Sequence, residues 1–161
     1  MVDINQQDER LNAALELFYY AYRVFTAQPD ALLAERGWAR VHHRVLYFVG
    51  REPGLSVNTL IARLGVSKQA LHGPLRDLQE AGLVLATPSA QDKRVRCLSL
   101  SAAGAALEEE ISSGQRALLA GIFSECGVPA AQGWQAVMGA LAQLDHSVNR
   151  RPAEQDIQPI L

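Results

Sequence analysis

Between Ser56 and Gly82 four punctuation residues leave room for little but two short helices joined by a tight turn. The Ser56 hydroxyl can accept a hydrogen bond from an orphan N–H in a first helical turn, which starts a helix running to about Leu64. Gly65 comes next as the residue that takes the left-handed conformation and stops it. Val66 supplies an apolar plug, Ser67 caps a second helix, and Gly82 ends that one. Leu71, Leu75 and Leu78 recur at spacings of four and three along the second helix and mark its inner face. Two capped helices joined by a glycine-containing turn make a helix-turn-helix.

Beyond Gly82 the chain takes on the period of strands. Leu83–Thr87 reads as one strand, Pro88–Lys93 as a polar connection and Arg94–Leu100 as the return, a β-hairpin with basic side chains at its tip. Ser101 then caps a long helix to about Glu125, with Leu107, Ile111, Leu118 and Ile122 expected to face inward. Gly127-Val128-Pro129 breaks the chain. A last helix, from about Ala130 to Asn149, puts Trp134, Val137, Met138, Leu141, Leu144 and Val148 on one stripe and ends at Arg151-Pro152. Upstream, Leu11, Leu15, Phe18, Tyr22 and Phe25 define a helix from about Asp8 to Gln28. Pro29-Asp30 is expected to end it, because the residue before a proline is pushed out of the helical region. A short helical stretch near Ala31–Glu35, a break at Gly37 and a helix from Trp38 to Gly50 complete the order. The expected fold class is mainly α with a small β-hairpin wing (α+β), a winged helix-turn-helix with helices at both ends. Those outer helices are too apolar to stand in water around so small a core.

The length of 161 residues fits one domain, 1–161, with a helix-turn-helix and hairpin lobe at 36–100 and outer helices at 8–35 and 101–150. Charge divides along the same lines. Ten of the fifteen basic residues but only four of the seventeen acidic ones lie between Arg36 and Arg96, so the middle is +6 and the flanks −8 within a net charge of −2. A basic middle carried by acidic flanks suits a local anionic partner such as nucleic acid. No apolar run is long enough to span a membrane, and the polar N-terminus lacks the pattern of a signal peptide, so no membrane association and a cytoplasmic location are expected. Cys97 and Cys126 are far apart and form no CxxC pair; they read as small buried hydrophobes, with redox sensing as the alternative. No activated nucleophile or phosphate loop stands out, so enzymatic activity is not expected. Adjacent histidines on a helix point about 100° apart, so His42, His43 and His72 make a poor metal site, and no cofactor is expected.

Taken together these residues resemble the MarR family of transcriptional regulators over almost the whole chain. Leu60–Gln69 matches its helix-turn-helix, and Glu80-Ala81-Gly82-Leu83-Val84 leads into its wing. Asp92-Lys93-Arg94 is similar to the family's D-x-R element, and Leu98–Gly104 to its L-x-L-T-x-x-G with Ser101 for Thr. Val41–Leu46 is similar to a segment found in a subset of the family. The resemblance implies a homodimer with its terminal helices intertwined, repression of nearby genes, and release by a small phenolic or other effector bound between that layer and the lobes.

A recognition helix enters the major groove N-terminus first, which makes Ser67, Lys68, Gln69, His72 and Arg76 the residues able to reach bases or phosphates of double-stranded DNA. Gln69 suits an adenine edge, and Lys68 or Arg76 a guanine or phosphate; the plainer reading of the two cations is a solvated face. Asn58 and Thr59 can hold phosphate or simply cap their helix. In the wing, Arg94 fits a narrow A·T minor groove, flanked by Lys93, with Asp92 expected to steady the Arg94 guanidinium. Tyr19, Tyr22, Trp38, His42 and His43 could line an effector pocket or be ordinary packing. Glu108-Glu109-Glu110 reads as a solvated face near a helix start. One departure stands out. His72-Gly73-Pro74 sits where the recognition helix should continue, and Pro74 cannot donate to the Ala70 carbonyl, a cost of about 3 kcal/mol in an ordinary helix interior. Either the helix bends there and reads fewer bases, or surrounding packing absorbs the proline. A winged-helix interaction module without sequence-specific binding is the alternative that this motif favours.

Overall fold

Three of the helices start at a serine hydroxyl that caps them. Ser56, Ser67 and Ser101 accept from the backbone N–H of Thr59, Ala70 and Gly104, each at 3.1 Å. In this computed structural model, which describes residues 4–145, the elements are α1 (Ile4–Ala34), α2 (Arg40–Arg51), α3 (Val57–Leu64), α4 (Lys68–Glu80), β1 (Val84–Pro88), β2 (Arg96–Leu100), α5 (Ala102–Cys126) and α6 (Val128–Gln143). Val148, Asn149 and the Arg151-Pro152 stop lie outside the described residues.

The hairpin pairs antiparallel from Val84 opposite Leu100 to Pro88 opposite Arg96. Leu55 ties the start of α3 to it, its carbonyl accepting from the Leu98 N–H at 2.9 Å. Val45, Leu46 and Val49 of α2, Leu60 of α3, Leu71 and Leu78 of α4, Val84 of β1 and Leu98 of β2 close into one core. Ile111 and Leu107 of α5 and Leu33 of α1 complete it. The motif glycine Gly104 has a steric reason. A Cβ there would stand 2.1 Å from the Leu83 carbonyl oxygen, so only glycine lets α5 begin against the strand.

Two expectations about proline resolve differently. Pro29 does not end α1, which runs on to Ala34 with Pro29 buried inside it. The carbonyl left without a donor is that of Phe25, four residues earlier, and Gln115 of α5 supplies one through its side-chain amide at 3.2 Å. Tertiary packing thus replaces the lost bond. The separate stretch at Ala31–Glu35 is the last turn of this helix rather than an element of its own. In α4, Pro74 likewise lies inside an uninterrupted helix. Here the freed carbonyl belongs to an exposed residue, Ala70, where solvent can take it.

Leu118 and Ile122 do not face inward; both are exposed within one chain. They join an exposed apolar surface that includes Leu11, Leu15 and Phe18 of α1 and Trp134, Val137 and Leu141 of α6. Cys126 is also exposed, at the end of α5, and Cys97 is half-buried in β2, so neither is a fully buried hydrophobe.

Candidate nucleic-acid interface and effector pocket

The first turns of α4 face outward as the leucine spacing requires. With Leu71, Leu75 and Leu78 buried, Ser67, Lys68, Gln69, His72 and Arg76 are all exposed. Arg76 is held only loosely, 3.8 Å from Glu80 and 3.9 Å from Asp77, so its guanidinium is available to a ligand. Thr59 is occupied in capping, its hydroxyl 2.9 Å from that of Ser56, while Asn58 is exposed beside it.

The wing tip differs from expectation in one contact. Asp92 does not hold the Arg94 guanidinium; its Oδ1 accepts the Arg94 backbone N–H at 2.9 Å. An aspartate two residues ahead of a turn N–H makes a compact local ring, and the Val95 N–H closes on the Asp92 carbonyl at 2.9 Å. The backbone is fixed and the Lys93 and Arg94 side chains stay free in solvent. Not every cation of the basic middle is available, however. Arg63 points inward, its side chain 7% exposed, and both Nε and Nη2 donate to Glu52.

A concavity of about 600 Å³ opens between α1, α2 and α5. Tyr22 and His43 line it; Tyr19, Trp38 and His42 do not. Tyr19 lies on the outer surface of α1 against Tyr20 and Arg23. Trp38 and His42 stack on each other with ring centroids 5.4 Å apart, and His42 Nε2 faces Asp77 of α4. The periodicity of α2 alone could not separate the two histidines. Phe25 and Tyr47 add apolar surface, and Arg44 and Arg51 add cations. At the mouth Arg40 makes a two-pronged pair with Asp30 at 2.6 and 2.8 Å and reaches the Tyr22 hydroxyl at 3.0 Å. This contact holds the Asp30 carboxyl below the usual carboxylate range.

Glu108 is part of this pocket rather than a solvated residue like Glu110, and its place there could not be read from a run of three acids. The Ser112 hydroxyl donates to the Glu108 carboxylate, and His43 Nε2 lies 3.2 Å from the same hydroxyl. Since the serine proton goes to the carboxylate, its lone pair receives the Nε2–H of His43. Burial pushes the His43 imidazole below its ordinary value, with Glu108 opposing and Arg44 reinforcing the shift.

A sequence model of the MarR family matches residues 36–95, the lobe that carries both exposed basic surfaces. The HTH-type transcriptional regulator PetP of Rhodobacter capsulatus is 43% identical over 134 residues, 83% of this chain and 81% of the relative. The chain belongs to the MarR family. A crystal structure of a MarR family transcription regulator superposes with a TM-score of 0.73 at 19% identity, covering 92% of this chain and 99% of that one. The Mycobacterium tuberculosis MarR family protein Rv2887, in complex with salicylic acid, is 26% identical with a TM-score of 0.55, covering 78% and 93%. The chain is a MarR-family transcriptional regulator with a winged-helix fold. No helix among the described residues is long and apolar enough to cross a membrane.

Proposed function

We propose that this chain is a ligand-responsive transcriptional repressor that binds an inverted-repeat operator as a homodimer. The observation that carries this reading is the joint exposure, on one lobe, of Lys68, Gln69, His72 and Arg76 on α4 and of Lys93 and Arg94 on a wing whose backbone is tied down by Asp92. In this reading α4 lies in the major groove and Arg94 reaches the adjacent minor groove, where a narrow A·T tract concentrates negative potential. Ser67, Asn58 and Thr59 contact the phosphate backbone at two helix starts. The exposed apolar surface of α1, α5 and α6 meets its copy in the partner protomer, which makes 8–35 and 101–150 the dimerisation layer. Repression acts in the cytoplasm and involves no catalysis and no cofactor.

The effector site is the concavity between α1, α2 and α5. Arg44, Arg51 and the aromatic rings of Tyr22, Phe25 and Tyr47 favour an organic anion with a flat apolar body. The salicylic acid held by the Mycobacterium tuberculosis relative supports that class. Such a ligand changes the separation of the two lobes, and with it the fit to half-sites one helical turn apart.

The test is selection of the purified protein against random duplex DNA, then anisotropy titration of the winning sequence across a salt series. The expected result is an inverted repeat with half-sites about 10 base pairs apart and a steep salt slope. Arg94→Ala should weaken binding about five- to thirty-fold and lower the slope by about one phosphate contact. Equal weak binding to every sequence would overturn the reading in favour of an interaction module.

A further inference from the structure

Helix α4 has a weak point in the middle of its reading surface. Pro74 offers no N–H to the Ala70 carbonyl, and beside it Gly73 has no neighbour within 4 Å of where a Cβ would stand. The leucines below hold the helix by apolar contact, whose driving force is non-directional. One polar contact from α2 supplies a direction. His42 Nε2 lies 3.2 Å from Asp77 Oδ2, three residues beyond the proline.

The imidazole is set for this contact from every side. Its side chain is 8% exposed, and its ring lies parallel to the Trp38 indole, 6° from coplanar. Its Nδ1 lies against the backbone of Ala39, the N-cap of α2, 3.1 Å from the N–H and 3.2 Å from the carbonyl oxygen. A carboxylate only accepts, so in this contact Nε2 carries the proton and donates it to Asp77. The Ala39 backbone anchors the far nitrogen of the ring, and the Trp38 stack fixes its plane. Asp77 is the immediate neighbour of Arg76, whose guanidinium approaches its other oxygen at 3.9 Å.

We propose that His42 is a positioning residue for DNA recognition. Through Asp77 it braces the second half of α4 beyond Pro74 and fixes the roll at which Lys68, Gln69, His72 and Arg76 are presented. The assignment rests on the proposed binding of operator DNA by α4. It gives His42 a place outside the effector pocket and explains how a recognition helix tolerates a glycine-proline pair.

Comparison of Asp77→Ala with Asp77→Asn, in the full-length chain, tests it. Both substitutions remove the same charge, but only asparagine keeps an acceptor for His42. Without DNA, amide hydrogen exchange of Leu75 to Glu80 should be at least five-fold faster in Asp77→Ala than in Asp77→Asn. Alanine is the better helix former, so a purely local effect would run the other way. With the selected operator, Asp77→Ala should bind at least ten-fold more weakly than Asp77→Asn, with the same salt slope. His42→Phe, which preserves the stack on Trp38, should add no further loss when combined with Asp77→Ala. Equal exchange and equal affinity in the two Asp77 variants would overturn the brace, as would additive losses in the double variant. Altered exchange with equal operator affinity would overturn the positioning role. A wild-type protein that selects no duplex would sink the transcriptional reading instead, and the exchange comparison would still decide the brace.

Discussion

The lobe between Arg40 and Leu100 and the helices that flank it are built of similar residues and solve the problem of burial differently. In the lobe Val45, Leu46, Val49, Leu60, Leu78 and Leu98 are fully buried by their own chain. In the outer helices Leu15 is 68% and Leu144 76% exposed, with tyrosines and valines between them. The lobe's helices have one apolar face each and a small sheet to close against. Helix α1 spreads Leu11, Leu15 and Phe18 on one side and Leu17, Tyr20 and Val24 on another. A helix apolar on more than one face needs more than one neighbour. The lobe is thus complete in one chain, and the outer layer is complete only when a second surface covers it.

The largest expected effect breaks this contrast at the outer layer. Leu15→Glu with Leu141→Glu should convert a dimer to monomers in sedimentation equilibrium and reduce operator affinity more than a hundred-fold, because each lobe then binds one half-site alone. An unchanged sedimentation mass would show that these residues lie outside the interface. In the lobe, Gly104→Ala forces a Cβ against the Leu83 carbonyl and should cost about 1–3 kcal/mol, measured by urea unfolding. Gly73→Ala is the milder case. Its Cβ meets no other element within 4 Å but is crowded by the Pro74 ring next in sequence, so the gain in helix propensity and that clash should largely cancel, leaving a change under about 1 kcal/mol in the same assay.

The smallest effect lies at the seam between the two regions. Burial keeps His43 neutral in the fold, below its ordinary value of 6.5, so the unfolded chain takes up its proton first as pH falls. The stability held in the neutral ring is therefore fully present above about pH 6.5 and is lost as pH falls through the lower folded value. Wild type should lose stability more steeply than His43→Gln below pH 6.5 in urea melts. Parallel curves would mean that water reaches the ring.

Much of the lobe could be read along the chain because its signals act within a few residues. Ser56, Ser67 and Ser101 cap helices whose N–H groups lie three positions away, and Gly65 is left-handed at φ 62°. The leucine spacing of α4 also left Lys68, Gln69, His72 and Arg76 on the outside without reference to any other element. The wing was legible in composition but not in contact. Asp92 was a good partner for Arg94, and whether it took the side chain or the backbone depended on the turn geometry.

The sequence by itself determined where the serine-capped helices start, where Gly65 stops α3, which face of α4 is apolar, and where positive charge collects, since all of these depend on local hydrogen bonding and period. Tertiary structure alone decided what depends on a partner distant in the chain. Pro29 stays inside a helix because Gln115, ninety residues away from Phe25, bonds the carbonyl it leaves bare. Arg63 is removed from the charged surface by Glu52, and Glu108 joins His43 through Ser112. His42 and His43, adjacent in sequence, turn opposite ways, one toward Asp77 on α4 and the other into the pocket. Helical geometry sets neighbours about 100° apart, and only the elements packed on either side give each direction a meaning.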